Sequence, residues 1–151
     1  MKPTDIMYET LHFERLIAAP VAPLFRAFAD AREREKWSAP SDSAAFFYEE
    51  EDFRPGGVDR FRCGSKEAPQ YEGETRYLAI EENALIACSE VVQAGGARLF
   101  ASLNTTRFQP CKDGTRLVHT VQIASFAGED MITGARVGTN AAFDNLAALF
   151  A

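Results

Sequence analysis

The pattern of apolar residues changes its period near Gly128, and this change limits the folds that are open to the chain. Before it, short segments rich in aromatic and β-branched residues alternate with turns such as Pro55–Gly56–Gly57 and Gly95–Gly96, which is typical of successive β-hairpins. After it, apolar residues recur every three or four positions, which is typical of a helix. We therefore expect an antiparallel sheet that is followed by one long C-terminal helix lying across it.

The alternating segments predict about seven strands. The first covers Leu11 to Ala18, and the others lie near residues 45–53, 58–63, 71–80, 85–93, 97–109 and 115–126. After the first strand, Pro20 and Pro23 fit the first turn of a short helix, because the N–H groups that proline lacks have no intrahelical acceptor there. A second short helix is predicted over residues 31–37. The prediction is an α+β fold in a single domain of residues 1–151.

Length and charge argue against several classes of protein. A chain of 151 residues with a net charge of −6 and no isolated cluster of Lys and Arg is unsuited to binding nucleic-acid phosphates. It has no apolar run of roughly 18 residues to span a bilayer and no cationic, apolar leader, so we expect a cytoplasmic protein. Cys63, Cys88 and Cys111 are widely spaced, so we expect neither a disulfide framework nor a metal site, and no cofactor.

Alternation along the last two strands identifies the side chains that face the core. It places His119 and Val121 on the inner face of one strand, and Phe100, Ser102 and Asn104 on the inner face of its neighbour. Imidazole is suited to proton transfer near neutral pH, so His119 is a candidate general acid or base, although a histidine that only satisfies a neighbouring group is the preferred interpretation. Ser102 and Asn104 are candidate polar anchors in an apolar pocket, or they hydrogen-bond one another.

The closing helix has small residues in its first half and large ones in its second half. The small residues are Ala135, Gly138, Thr139 and Ala142, and the large ones are Phe143, Leu146, Leu149 and Phe150. The small residues either leave room for a cavity between the helix and the sheet or let the helix pack closer to it. The sequence leaves both outcomes open.

Two further segments of the second strand are distinctive. Phe46, Phe47 and Tyr48 are consecutive aromatic residues, so the strand must send at least one of them to each face. A partner subunit of a homodimer, or the pair of short helices, is expected to cover them. The acidic run that follows cannot converge on one metal ion, because alternate side chains of a strand point apart, and we expect it to be solvated with ion pairs to nearby arginines. The run is Glu49–Glu50–Glu51–Asp52, and the arginines are Arg54, Arg60 and Arg62.

Five segments together resemble the bacterial proteins called activator of heat shock protein 90 ATPase homologues, which belong to the SRPBCC superfamily. They are Pro20 to Asp30, Trp37, the run Asp52–Phe53–Arg54–Pro55–Gly56–Gly57, the turn Gly114–Thr115–Arg116–Leu117, and Leu146. The resemblance covers nearly the whole chain. It implies a helix-grip (START-like, Bet v 1-like) fold, in which a curved antiparallel sheet wraps around the long C-terminal helix.

The resemblance also implies a function. Members of the superfamily bind lipids, sterols, plant hormones or polyketides between the helix and the sheet, so a binding protein for a small apolar ligand is the preferred prediction. The residues expected to contact the ligand are Trp37, Phe100, Ser102, Asn104, His119, Val121, Thr139, Ala142 and Phe143. In relatives the position of Trp37 closes one mouth of the cavity, and its alternative role is to fill the core. The chain departs from the family where it has Gly138–Thr139 in place of Gly-Trp, and Val121 in place of an acidic residue.

Two alternatives follow from the same resemblance. A few members are polyketide cyclases or aromatases, and an enzyme of that kind would use His119, with Tyr48, Tyr71 or Tyr77 to polarise a carbonyl group. The family name also derives from a co-chaperone, so a chaperone-interacting protein that uses a surface patch is the other alternative.

Overall fold

The computed structural model describes residues 5–151, which form seven strands and three helices. In chain order they are β1 (Met7–Ile17), α1 (Val21–Ala29), α2 (Ala31–Ser38), β2 (Ala44–Glu50), β3 (Val58–Ser65), β4 (Tyr71–Glu81), β5 (Leu85–Ala94), β6 (Ala97–Cys111), β7 (Gly114–Ser125) and α3 (Glu129–Leu149). The two short helices after the first strand and the long closing helix were predicted from the sequence and are confirmed.

All seven strands belong to one antiparallel sheet in the order β1-β7-β6-β5-β4-β3-β2. Strands β2 to β7 follow one another across the sheet and are joined by short turns or loops. The last strand, β7, pairs with the first strand, β1, so β1 and β2 are the two edge strands. The connection through α1 and α2 therefore carries the chain from one edge of the sheet to the other. The predicted seven-stranded antiparallel sheet is confirmed.

Two strand ends differ from the prediction by three or more residues. β1 begins at Met7 instead of Leu11, because its first residues pair with β7 through the backbone while their side chains stay exposed and give no apolar pattern. β2 ends at Glu50 instead of continuing to Phe53. There the backbone N–H of Asp52 donates to Asp59 Oδ1 at 2.7 Å, and the ring of Phe53 packs against Phe25 and Tyr77 instead of extending the strand.

Aromatic rings lock the second half of α3 to the short helices and the sheet. Phe28 of α1 contacts Trp37 of α2 and Phe108 of β6, with ring centroids 4.8 and 5.2 Å apart. Phe143 of α3 lies 6.2 Å from Trp37 and 6.1 Å from Phe13 of β1. Because these rings interlock at edge-on or tilted angles, they fill the core at this end of the protein.

A buried ion pair fixes α2 to the sheet. Arg34 Nη2 donates to Asp59 Oδ2 at 3.0 Å, while its Nη1 donates to the hydroxyl of Tyr77 and to the carbonyl of Phe28, each at 2.7 Å. The Tyr77 hydroxyl donates in turn to Asp59. Asp59 is fully buried, so its carboxylate depends on these donors in place of water.

Helix α3 packs mainly against β1, β7 and α2. Arg15 of β1 donates to Asn140 Oδ1 at 2.9 Å and ties the two elements together. Since α3 starts four residues after Ser125, which pairs with Phe100, its first half lies at the Phe100 end of the sheet. Among residues 5–151, none of the helices is long and apolar enough to cross a membrane.

Candidate functional site

A row of polar side chains crosses the middle of the concave, inner face of the sheet. Thr75 of β4, Glu90 of β5 and Ser102 of β6 are directly opposed in the strand register. Asn104 is opposite Cys88, which makes it the diagonal neighbour of Glu90. Directly opposed side chains on one face have Cβ atoms about 5 Å apart and diagonal ones about 7–8 Å apart, so these groups surround one small volume.

Glu90 is the charged member of this row. Burial raises the pKa of its carboxyl group to about 7, and a hydrogen bond from Thr75 Oγ1, at 3.5 Å, opposes this shift only in part. Within residues 5–151, no lysine, arginine or histidine nitrogen lies within 4 Å of its carboxylate. The group therefore changes charge near neutral pH and has no cation to neutralise it.

Two neighbouring oxygen atoms are buried without a hydrogen-bond partner. They are Ser102 Oγ and Asn104 Oδ1. Ser102 is only 7% exposed, so its hydroxyl is shielded from bulk solvent. The alternative that Ser102 and Asn104 hydrogen-bond one another is not seen. Because an unsatisfied buried polar atom costs about 1–3 kcal/mol, this row is costly unless something supplies donors to it.

The thiols beside Glu90 are unreactive. Burial, and then the negative charge of Glu90, raise the pKa of Cys63 to about 11 and that of Cys88 to about 12. A thiol is a nucleophile or a metal ligand only as the thiolate. Both side chains are therefore neutral near pH 7, as expected of ordinary thiols.

An aromatic wall borders the polar row on the β2–β3 side. Phe46 and Tyr48 face inward, and Phe46 stacks on Phe61 with the ring centroids 4.8 Å apart. Phe47 points outward and is 39% exposed, as the prediction that the three aromatics divide between the faces requires. The ring of Phe61 lies directly over Gly73, where a Cβ atom would overlap it. Only glycine permits this close approach.

The first half of α3 is loosely packed against the sheet. Thr139 lies at the centre of the helix face that also carries the buried residues Ile132, Ala142 and Leu146, yet Thr139 is only half-buried. A Cβ atom added at Gly138 would meet no other atom within 4 Å. Thr139 is thus accessible to solvent, and Gly138 has room for a larger side chain.

His119 lies at the filled end of the interior. Its Nδ1 atom is 2.8 Å from Thr106 Oγ1, and its ring packs against Phe143 and Phe13 at centroid distances of 5.1 and 5.9 Å. Burial lowers the pKa of His119 to about 4, so the imidazole is neutral at physiological pH. These contacts match the interpretation of His119 as a histidine satisfied by a neighbour.

The other predicted site residues divide into the same two groups. Trp37 is buried, and its Nε1 donates to the carbonyl of Ala27 at 3.0 Å, so it fills the core. Ala142 and Phe143 are buried beside it, at the end that the aromatic rings fill. Ser102 and Asn104 belong to the polar row, and Phe100 is next to Ser102 on the same face of β6. Val121 is opposite Asn104 but is buried in the apolar core, and Thr139 is half-buried on α3.

Glu90 was missed by the sequence analysis, although the signal was present. The predicted strand 85–93 places Cys88, Glu90 and Val92 on one face, and Val92 is buried. A glutamate between two such residues could have been identified as an inward carboxyl group.

Two of the three tyrosines considered for catalysis, Tyr48 and Tyr77, contact Arg34. The hydroxyl of Tyr77 is bonded to Asp59 and Arg34, and the guanidinium of Arg34 lies 4.5 Å above the ring of Tyr48. Burial raises the pKa of both phenols, so they remain neutral. Tyr77 is therefore not available to polarise a ligand carbonyl.

The outer face of the sheet carries paired charges and a shallow groove. The acidic run forms the predicted surface ion pairs, which are Glu49 with Arg62, Glu50 with Arg60 and Asp52 with Arg54. The groove crosses β1, β7 and β6, and exposed Tyr8 and Leu103 are among the residues that line it. No contact in the structure shows what would cover this surface.

A protein-family model and several solved structures match this chain over most of its length. The model of the family described as Activator of Hsp90 ATPase homolog 1-like protein matches residues 18–151. The protein Mll3558 from Rhizobium loti is 31% identical with a TM-score of 0.83, over 95% of this chain and 98% of that one. A protein from Rhizobium leguminosarum is 29% identical with a TM-score of 0.82, over 97% and 96% of the two chains.

More distant similarity concerns the fold alone. Ara h 8.0201 is 13% identical with a TM-score of 0.71, over 95% of this chain and 98% of that chain. A search of curated proteins gave no significant match. The family match over residues 18–151 and the helix-grip architecture together show that the chain belongs to the Activator of Hsp90 ATPase homolog 1-like family of the SRPBCC superfamily.

Proposed function

We propose that this protein binds a small, largely apolar molecule between α3 and the concave face of the sheet. The observation that carries the proposal is the pair of buried acceptor atoms without partners, Ser102 Oγ and Asn104 Oδ1, on a face that also carries aromatic and aliphatic side chains. Ligand sites in proteins commonly combine apolar walls with a few placed polar groups. A ligand that supplied donors here would offset the cost of leaving these atoms unsatisfied.

The surroundings support this position for the ligand. Phe46 and Phe61 offer an aromatic wall on one side, and Phe100 borders Ser102 along β6. The half-buried Thr139 and the open space beside Gly138 lie on the helix side. The members of the superfamily that bind lipids, sterols or polyketides use the same region between helix and sheet.

The contacts of His119 favour binding over proton transfer. Its Nδ1 is already bonded to Thr106, and the low pKa that burial causes leaves little imidazolium to act as an acid near pH 7. We therefore prefer a binding protein to the cyclase alternative.

The test uses a bulky residue to fill the space below α3. Nile red, a neutral dye that fluoresces in apolar sites, should bind the wild-type protein and be displaced by fatty acids, sterols or aromatic polyketides. Thr139→Trp places a large ring at the centre of the inner helix face and should abolish dye binding. Val137→Trp is the matched control, because Val137 is on the same helix but 63% exposed, and this variant should bind the dye normally.

Circular dichroism and urea unfolding would establish that both variants fold. If folded Thr139→Trp binds Nile red as tightly as Val137→Trp does, the dye does not occupy this region and the proposal is wrong. The proposal is also wrong if the wild-type protein binds neither the dye nor any fatty acid, sterol or aromatic polyketide.

A further inference from the structure

The carboxyl group of Glu90 lacks the partner that a buried acid normally has. The only hydrogen bond that it accepts within residues 5–151 comes from Thr75 Oγ1, at the long distance of 3.5 Å. Buried carboxylates are usually paired with a cation or bound to several N–H donors. The carboxylate oxygens of Glu90 can therefore accept further hydrogen bonds, for which residues 5–151 supply no donor.

The nearest buried cation cannot fill this role. Arg34 is close enough to affect the pKa of Cys88, the inner-face neighbour of Glu90, but its guanidinium is bound to Asp59, Tyr77 and the carbonyl of Phe28. Moving it toward Glu90 would leave the fully buried Asp59 without its cation. Arg34 is therefore the counter-ion of Asp59 and is not available to Glu90.

The unfilled groups of the polar row are mainly acceptors. Glu90 offers two carboxylate oxygens above its pKa, Asn104 Oδ1 accepts only, and Ser102 Oγ accepts or donates. Ser102 is directly opposite Glu90, and Asn104 is diagonal to it. A group with three N–H donors and a positive charge matches such a set better than a hydroxyl, which has one donor, or a carboxylate, which has none.

The aromatic wall suits the same group. Phe61 lies over Gly73, which is the inner-face neighbour of Thr75 on β4, and Phe46 stacks on Phe61. Aromatic faces attract cations within about 6 Å of the ring centre and also pack against an apolar ligand body.

We propose that the concave face binds a small molecule that has an apolar or aromatic body and one protonated amino group, which Glu90, Ser102 and Asn104 hold. This inference rests on the proposed function and adds the chemistry of the ligand to it. Simple fatty acids are disfavoured as ligands, because their carboxylate would face Glu90.

The test compares two probes that differ only in the polar group. The probes are 1-naphthylmethylamine and 1-naphthalenemethanol, titrated at about pH 8, where the amine is largely protonated and Glu90 is ionised. Other titratable or charged side chains on this face, or packed against it from α2, include Glu9, Arg15, Arg34, Tyr48, Asp59, Cys63, Tyr71, Tyr77, Cys88 and His119. Backbone amide chemical shifts report where each probe binds, and β5 and β6 should respond.

The wild-type protein should bind the amine about tenfold to a hundredfold more tightly than the alcohol, which is the scale of a charged hydrogen-bonded contact. Glu90→Gln should remove this preference through a loss of affinity for the amine of about tenfold or more. Glu67→Gln, at an exposed position, is the control that should retain it. Ser102→Ala is a second variant and should weaken amine binding while keeping the charge of Glu90.

The outcomes separate this inference from the proposed function. Equal or tighter binding of the alcohol at β5 and β6 would overturn the amino-group inference and leave the apolar binding site intact. If Glu90→Gln still prefers the amine, the amino-group inference is also wrong, because the ammonium group of the probe would then be held by a residue other than Glu90. If neither probe, nor Nile red, binds the concave face, both proposals are wrong.

Discussion

Glu90→Gln should stabilise the protein above neutral pH and change its stability little in acid. Burial raises the pKa of Glu90 from its ordinary value of 4.5 to about 7. A carboxyl group whose pKa is higher in the folded than in the unfolded protein binds its proton more tightly when the protein is folded. The stabilising contribution of Glu90 is therefore complete below pH 4.5 and is lost as the pH rises to about 7.

The size of the effect follows from the two pKa values. The difference between 4.5 and about 7 corresponds to about 3 kcal/mol of unfolding free energy. Glu90 is half-buried and keeps some access to water, so we expect about 2 kcal/mol in practice. Glutamine has nearly the same shape and stays neutral at every pH, so it removes the loss above pH 7 without opening a cavity.

Urea unfolding of the wild type and Glu90→Gln, measured at intervals between about pH 4 and pH 8, checks this prediction. The two free energies should agree within about 1 kcal/mol at the acid end and separate by about 2 kcal/mol at the alkaline end. A difference that is the same at every pH would refute the reasoning, because it would show that the carboxyl group titrates normally in the folded protein.

His119→Leu gives a control of opposite sign. Burial lowers the pKa of His119 from 6.5 to about 4, so the stability that the neutral imidazole contributes is complete above pH 6.5 and is lost as the pH falls toward 4. His119→Leu should therefore raise the free energy of unfolding most in acid, whereas Glu90→Gln should raise it most above neutral pH. In the wild type the two effects oppose each other between about pH 4.5 and 6.5.

Two further substitutions test the packing. Asp59→Ala should lower the unfolding free energy by about 3–5 kcal/mol in urea unfolding, because it leaves the buried guanidinium of Arg34 without its counter-ion, and combining it with Arg34→Met should recover much of the loss. An unchanged stability in Asp59→Ala would show that the ion pair is not desolvated. Gly138→Ala should raise the melting temperature through about 0.5–1 kcal/mol of helix propensity, because the added methyl group meets no atom within 4 Å. A decrease would mean that the space beside α3 is filled.

The fold could be predicted from the sequence because its signals are local. The change of period at Gly128, the glycine-rich turns and the prolines before α1 each depend on a few neighbouring residues, and they place the elements in order. The ends of β1 and β2 were misjudged because they depend on distant partners. Met7 extends β1 only because β7 offers a backbone to pair with, and β2 stops where Asp52 meets the side chain of Asp59.

The site was harder to predict because strand alternation gives the face of a residue but not its partners. The inward direction of Ser102, Asn104 and His119 was correct, yet only the register shows that His119 meets Thr106 and is satisfied, whereas Ser102 meets Glu90 and is not. The prediction also could not divide the interior into a filled end and a polar end. That division depends on Phe143 reaching Phe13 across the core.

Two acids on the inner face of the sheet, Asp59 and Glu90, show why we propose a ligand at the polar row. Asp59 is fully buried and accepts bonds from Arg34, Tyr77 and the backbone of Asp52, so its burial is explained by the attachment of α2 to the sheet. Glu90 lies half-buried on the same face with one long hydrogen bond, and its raised pKa adds to the cost of folding above neutral pH. A local conflict of this kind has no structural benefit within the described chain, and such conflicts are expected at functional sites. The fold thus pairs Asp59 completely and leaves Glu90 without a cation, which is our reason for proposing a ligand there.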